Sequence, residues 1–196
     1  MNGVNMAAVY VVQTLGSLYL LIVLLRFILQ LVRADFYNPL SQFIVRATQP
    51  LLTPLRRLIP GFGGIDIASL VLALAIQLVL LAVIIKLMGF AVPPVLQLLV
   101  WALVGVTALF LKVFFFALII SVILSWVAPH SHNPAAILVS QLCEPVLAPI
   151  RRFLPSLGGL DLSPIFAFIA LNLLDMLLVT NLAIATGMPK GLTLAL

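Results

Sequence analysis

Few residues in this chain could do chemistry, and their scarcity makes their spacing informative. Two arginine pairs, Arg56-Arg57 and Arg151-Arg152, sit in proline-framed segments, PLLTPLRRLIPGFGGID from Pro50 and PVLAPIRRFLPSLGGLD from Pro145, in register at a shift of 95 residues. A guanidinium fork grips carboxylate or phosphate at two points, so each pair points to anion contact. His130 and His132, near Cys143 and Glu144, have types that ligate metals, but Asp35 and Tyr37 stand at the equivalent first-copy positions, and two loop histidines are the plainer reading. Gly61-Phe62-Gly63-Gly64 lacks the Lys-Ser/Thr of a phosphate loop and reads as a turn. Arg26, Gln77, Lys112, Asn172 and Asp175 interrupt otherwise apolar runs, where polar residues either bridge helices or mark an ion path. No nucleophile with a base, metal cluster or phosphate cradle emerges, so the expectation is a non-enzyme with no cofactor and no metal.

The elements that position these residues follow from composition. Of 196 residues 64% are hydrophobic and 8% charged, and the mean hydropathy of +1.32 belongs to an integral membrane protein. Four runs, about Ala7 to Val32, Ile67 to Met88, Val95 to Val127 and Leu162 to Thr186, are long enough to cross a hydrocarbon layer of about 30 Å. They must be helices, because lipid offers no partner to an open strand. No basic residue precedes Arg26, so the first run is expected to stay as a span and not to act as a cleaved signal. The pI near 10 reflects basic residues flanking spans, so no nucleic-acid partner is expected. The loops after spans one and three carry Arg33, Arg46, Arg56, Arg57, Arg151 and Arg152, and the other side only Lys86 and Lys190. That bias puts both long loops in the cytoplasm and the termini in the periplasm of a bacterial inner membrane. The lone Cys143 has no disulfide partner within the chain.

Over the 29 positions from Asn38 to Asp66, 11 match Asn133 to Asp161 without a gap. The chain therefore reads as an all-α membrane protein of two parallel helix, arm, helix repeats, residues 1–93 and 94–196. In each arm Asn38-Pro39 or Asn133-Pro134 starts a helix. Pro50 or Pro145 is expected to end it, with a second short helix following around Pro54 or Pro149. Pro60 or Pro155 stops that second helix, Gly63-Gly64 or Gly158-Gly159 turns the chain, and Asp66 or Ser163-Pro164 opens the returning span. Apolar positions at helical spacing, with arginines at their edge, describe helices lying in the membrane plane. The bland reading is anchorage to anionic headgroups; the sharper one is a docking surface for lipid or a membrane or cytoplasmic protein.

Gln77 and Asn172 are equivalent by the 95-residue shift and lie at one depth, as a shared polar contact or as glue between helices. Lys112 and Asp175 also share a depth and are expected to pair, or else to reach the far interface separately.

The stretches NPLSQFIVRATQPLLTPLRRLIPGFGGIDIAS and NPAAILVSQLCEPVLAPIRRFLPSLGGLDLSP resemble the two signatures of the YggT family of small bacterial inner-membrane proteins, whose plastid relatives are YlmG-type. The first copy departs from the pattern at Gln49, opposite Glu144, and at Ala68-Ser69, opposite Ser163-Pro164. The resemblance implies an association with osmotic-shock tolerance and cation homeostasis, and for plastid members with nucleoid distribution and cytochrome assembly. It brings no chemical activity. The expected role is a membrane scaffold or assembly factor, with a part in ion or osmolyte transport as the alternative, and homo-oligomers are compatible with either.

Overall fold

The computed structural model describes residues 3–61, 63–128, 133–153, 161–189 and 192. Among them all regular structure is helical: α1 Gly3–Leu31, α2 Pro39–Leu58, α3 Ile67–Leu87, α4 Val95–Val127, α5 Pro134–Phe153, α6 Ser163–Leu174, a π turn Asp175–Thr180 and α7 Asn181–Ala185. Four of these stretches are long and apolar enough to span a membrane: α1, α3, α4 and the continuous Ser163–Ala185. This is a multi-pass membrane protein.

In space α1 packs on α3, α3 on α4, and α4 on the last span. Helix α2 lies against α1 and α3, and α5 against α4 and α6. The two arms meet at one end of the bundle, where Asn38 Nδ2 donates to the Pro134 carbonyl at 2.6 Å and Gln141 Oε1 accepts from the Asp35 amide at 3.0 Å.

Each arm is one helix, which corrects the expectation that Pro50 and Pro145 end it. Helix α2 runs through Pro50 and Pro54, and α5 through Pro145 and Pro149. A proline removes only its own N–H and frees the carbonyl four residues earlier. Here the prolines stand four apart and all four are exposed, so the freed carbonyls fall on an outer face where solvent or headgroups satisfy them. The ends follow the sequence signals. Asn38 Oδ1 accepts from the Leu40 amide and Asn133 Oδ1 from Ala135, with Pro39 and Pro134 as first helical residues. Ile59, ahead of Pro60, is extended at φ −121°, ψ 94°, as crowding by the proline ring requires. Gly63 and Gly64 turn the chain at φ 62° and 83°, a region that costs glycine little. Pro155, Gly158 and Gly159 lie outside the described residues.

Candidate functional site

The arm of each copy is pinned to the start of its returning span by the first arginine of the pair. In the first copy the Asp66 side chain accepts from the Ser69 amide and so caps α3. The Ser69 hydroxyl and the Arg56 guanidinium also donate to its Oδ2. Burial pushes the Asp66 carboxyl up, but the bonds from Arg56 and Ser69 outweigh it and hold the group below its usual range. Arg26 reaches the same place from α1. Its Nη1 donates to the Val45 carbonyl and to Thr48 Oγ1, both at 3.2 Å, and its Nε stands 4.0 Å from Asp66 Oδ2 without a hydrogen-bond partner. Arg26 is 7% exposed and Asp66 4%. Two guanidinium groups thus share one buried carboxylate, and the cluster keeps a positive charge.

The second copy inverts that balance. Arg151 Nε donates to Asp161 Oδ2 at 2.9 Å and its Nη1 to Glu144 Oε2 at 3.0 Å. Asp161 Oδ1 accepts from the Ser163 amide, leading into α6 with Pro164 in its first turn. One guanidinium faces two carboxylates, so this cluster keeps a negative charge, and it is far more open, with side chains 43 to 57% exposed. Arg151 and Asp161 hold each other charged. Burial lowers the Arg151 pKa but its two carboxylates raise it further, and burial raises that of Asp161 while Ser163 and Arg151 lower it further. Where the first copy has Arg26 and Thr48, the second has Ser121 and Cys143. Burial pushes the Cys143 thiol up to about 11, so at neutral pH it is a packed, unreactive thiol.

Arg57 and Arg152 face outward, as does Arg46. Around α2 the residues sort into three stripes. Ser41, Ile44, Thr48 and Leu52 are buried against the bundle. Leu40, Phe43, Leu51 and Leu58, one position back at helical spacing, are exposed and apolar. Gln42, Arg46, Gln49, Thr53 and Arg57 form an exposed polar stripe. In α5 the positions matching Phe43 and Ala47 are Leu138 and Leu142, and both are buried.

Within the spans, Gln77 and Asn172 do not share a contact. Gln77 is fully buried with both amide atoms lacking a hydrogen-bond partner, and a Cβ on Gly105 of α4 would overlap its Nε2. Asn172 is exposed and donates to the Phe168 carbonyl of its own helix at 2.8 Å. The reason is that α3 lies between two neighbours and α6 at the edge of the bundle. Lys112 and Asp175 are brought together, lining one cavity of about 140 Å³ with Asn172. Among the described residues no group of three or more His, Cys, Asp or Glu converges to hold a metal ion; His130 and His132 lie outside them. Sequence reasoning missed the convergence of Arg26 on Asp66. The available signal was a lone arginine five residues from the end of the first span, on the side where the arm begins.

An all-helical multi-pass protein with two proline-containing arms pinned by arginine–aspartate clamps defines the class. The particular family follows from comparison: the CCB3/YggT family model matches residues 5–88 and again 100–182, the two matches starting 95 residues apart as the motif copies do. The chain belongs to this family. It is 72% identical to a Pseudomonas aeruginosa protein over the full length of both. It is 41% identical over 170 residues to a Vibrio alginolyticus protein, covering 86% of this chain and 91% of that one. It is 37% identical over 170 residues to Escherichia coli YggT, covering 85% and 86%. No solved structure matches the chain.

Proposed function

We propose that this protein is a non-enzymatic scaffold or assembly factor of the bacterial inner membrane, whose arms lie along the cytoplasmic leaflet and engage anionic lipid and a membrane or cytoplasmic protein. The observation that carries this is the three-sided surface of α2. A helix with one stripe on the bundle, one exposed apolar stripe and one polar, arginine-bearing stripe suits a position where protein, acyl chains and water meet. Arg57 and Arg152 then reach lipid phosphates or acidic partner groups, while Arg56 and Arg151 fix the arms. The basic bias of the arm side supports the orientation, and the family resemblance supplies an osmotic-stress context.

The test is amide exchange of the full chain in nanodiscs of anionic or zwitterionic lipid. The arms, residues 39–58 and 134–153, should exchange more slowly in anionic discs, and Arg46→Gln, Arg57→Gln and Arg152→Gln together should abolish the difference. Equal exchange in both lipids removes the lipid-docking role. A second reading, a component of ion or osmolyte transport, draws on the cavity holding Lys112, Asn172 and Asp175. Potassium flux through liposomes containing the purified chain would favour it, and tight liposomes favour the scaffold.

A further inference from the structure

The last span differs from the others in what it shows to the bilayer. In its most apolar window only 17% of residues are buried, against 44% in both α3 and α4. Low burial alone is no signal, because α1 is nearly as bare at 22%. There, however, the side chains exposed beyond the first turn are Ala7, Tyr10, Val11, Thr14, Leu15, Leu18 and Leu31, none of them an amide or a charged group. The last span exposes Asn172, with the half-buried Asp175 one turn on and Lys112 of α4 lining the same cavity. At 1.5 Å per residue from Ser163, Asn172 and Asp175 lie roughly 14 and 18 Å into the span, near the middle of the hydrocarbon layer. Acyl chains give an amide nothing to bond, and Asn172 turns back on its own helix at Phe168. The π turn from Asp175 to Thr180 begins at the same place, and such turns persist where packing or function holds them.

We infer that this face of the last span is an interface with a second copy of the same chain. The chemistry selects that occupant. The surface holds a cation and an anion side by side, together with an amide that both donates and accepts. A two-fold axis beside Asn172 sets amide against amide and brings Lys112 of each copy toward the carboxylate of the other, so the surface is self-complementary. A partner of single charge would meet one of the two groups with like sign. Leu173, Met176 and Leu177, all exposed, supply the apolar surround.

Cross-linking in native membranes tests this. In a Cys143→Ala background, Leu173→Cys or Met176→Cys should oxidise to a product of twice the chain mass, and Leu18→Cys on α1 should not. Adding Asn172→Leu should lower the cross-linked fraction several-fold, Asn172→Gln should restore it, and equal melting of all variants as detergent monomers would show that the fold is intact. The inference is overturned by equal yields at Leu18→Cys, by a product containing a different protein, by no product at any dilution in lipid, or by indifference to Asn172→Leu.

Discussion

Asp66 and Asp161 stand at equivalent positions and make the same link, yet their surroundings give the link different weight. Replacing Asp66 by Asn leaves Arg26 buried with no carboxylate within reach, a loss of the kind that costs about 3 kcal/mol. The equivalent Asp161→Asn breaks a solvent-screened pair worth about 0.5 kcal/mol. Denaturant titration in detergent micelles should therefore separate two changes that the sequence presents as identical; equal losses would mean that Arg26 draws no support from Asp66. The pH dependence follows with a definite sign. Both folded carboxyls lie below the usual carboxylate range, so their contribution is complete above about pH 5 and is lost as pH falls through the folded pKa. Melting temperature should be flat from pH 7 to about 5 and decline below it, and the decline should be shallower in Asp66→Asn. The motif positions were legible because two copies repeat them. Arg26 was not, since its counterpart is Ser121 and its partner Thr48 is matched by Cys143, so comparing the repeats erased the contact that distinguishes them.

At the level of the helix, the spans could be read directly because the thickness of hydrocarbon dictates their length. Their neighbours could not be read, because lipid and a protein interior are equally apolar and a span shows no polar stripe to orient it. Proline misled for a related reason: its cost depends on whether the freed carbonyl is buried, and that is set by the face it lands on. The contact between α3 and α4 shows what the pattern conceals. Gln77 fits only because position 105 has no Cβ, and the amide gains no hydrogen bond there. Gly105→Ala should destabilise the fold by about 1 to 3 kcal/mol through overpacking. Gln77→Leu should raise stability by about 1 kcal/mol by removing an orphaned buried amide. In a double-mutant cycle Gly105→Ala should cost less beside Gln77→Ala than alone; strict additivity would show that the two residues do not compete for space.

Over the whole molecule the duplication yields two arms on one end of the bundle and two clamps of opposite residual charge, so the copies have diverged in charge while keeping the link from arm to returning span. Which side of the membrane that end occupies is checked with Gln42→Cys and Ala135→Cys, both exposed positions, in a Cys143→Ala background. Both should resist an impermeant thiol reagent in intact cells and react in inverted vesicles, and labelling in intact cells would reverse the orientation. The copies are also welded to each other. Helix α3 of the first lies along α4 of the second, with Leu81 and Ile84 on one side and Leu109 on the other all buried. Across the arms Asn38 reaches Pro134, and Gln141 takes the Asp35 amide. The chain between α3 and α4, residues 90–94, is an irregular and mostly exposed connection. A cut between Pro93 and Pro94 therefore severs no helix, and the seam should hold the pieces together without it. Residues 1–93 and 94–196, expressed as separate chains in one cell, should accumulate and copurify, whereas either alone should be degraded, because its half of the seam faces lipid and its arm lacks the other. Asn38→Ala should lower the recovered complex, since it removes both a helix cap and the tie to Pro134. Should each half prove stable alone, with no complex formed, the duplicated unit would be the folding unit and the α3–α4 seam a consequence of tethering.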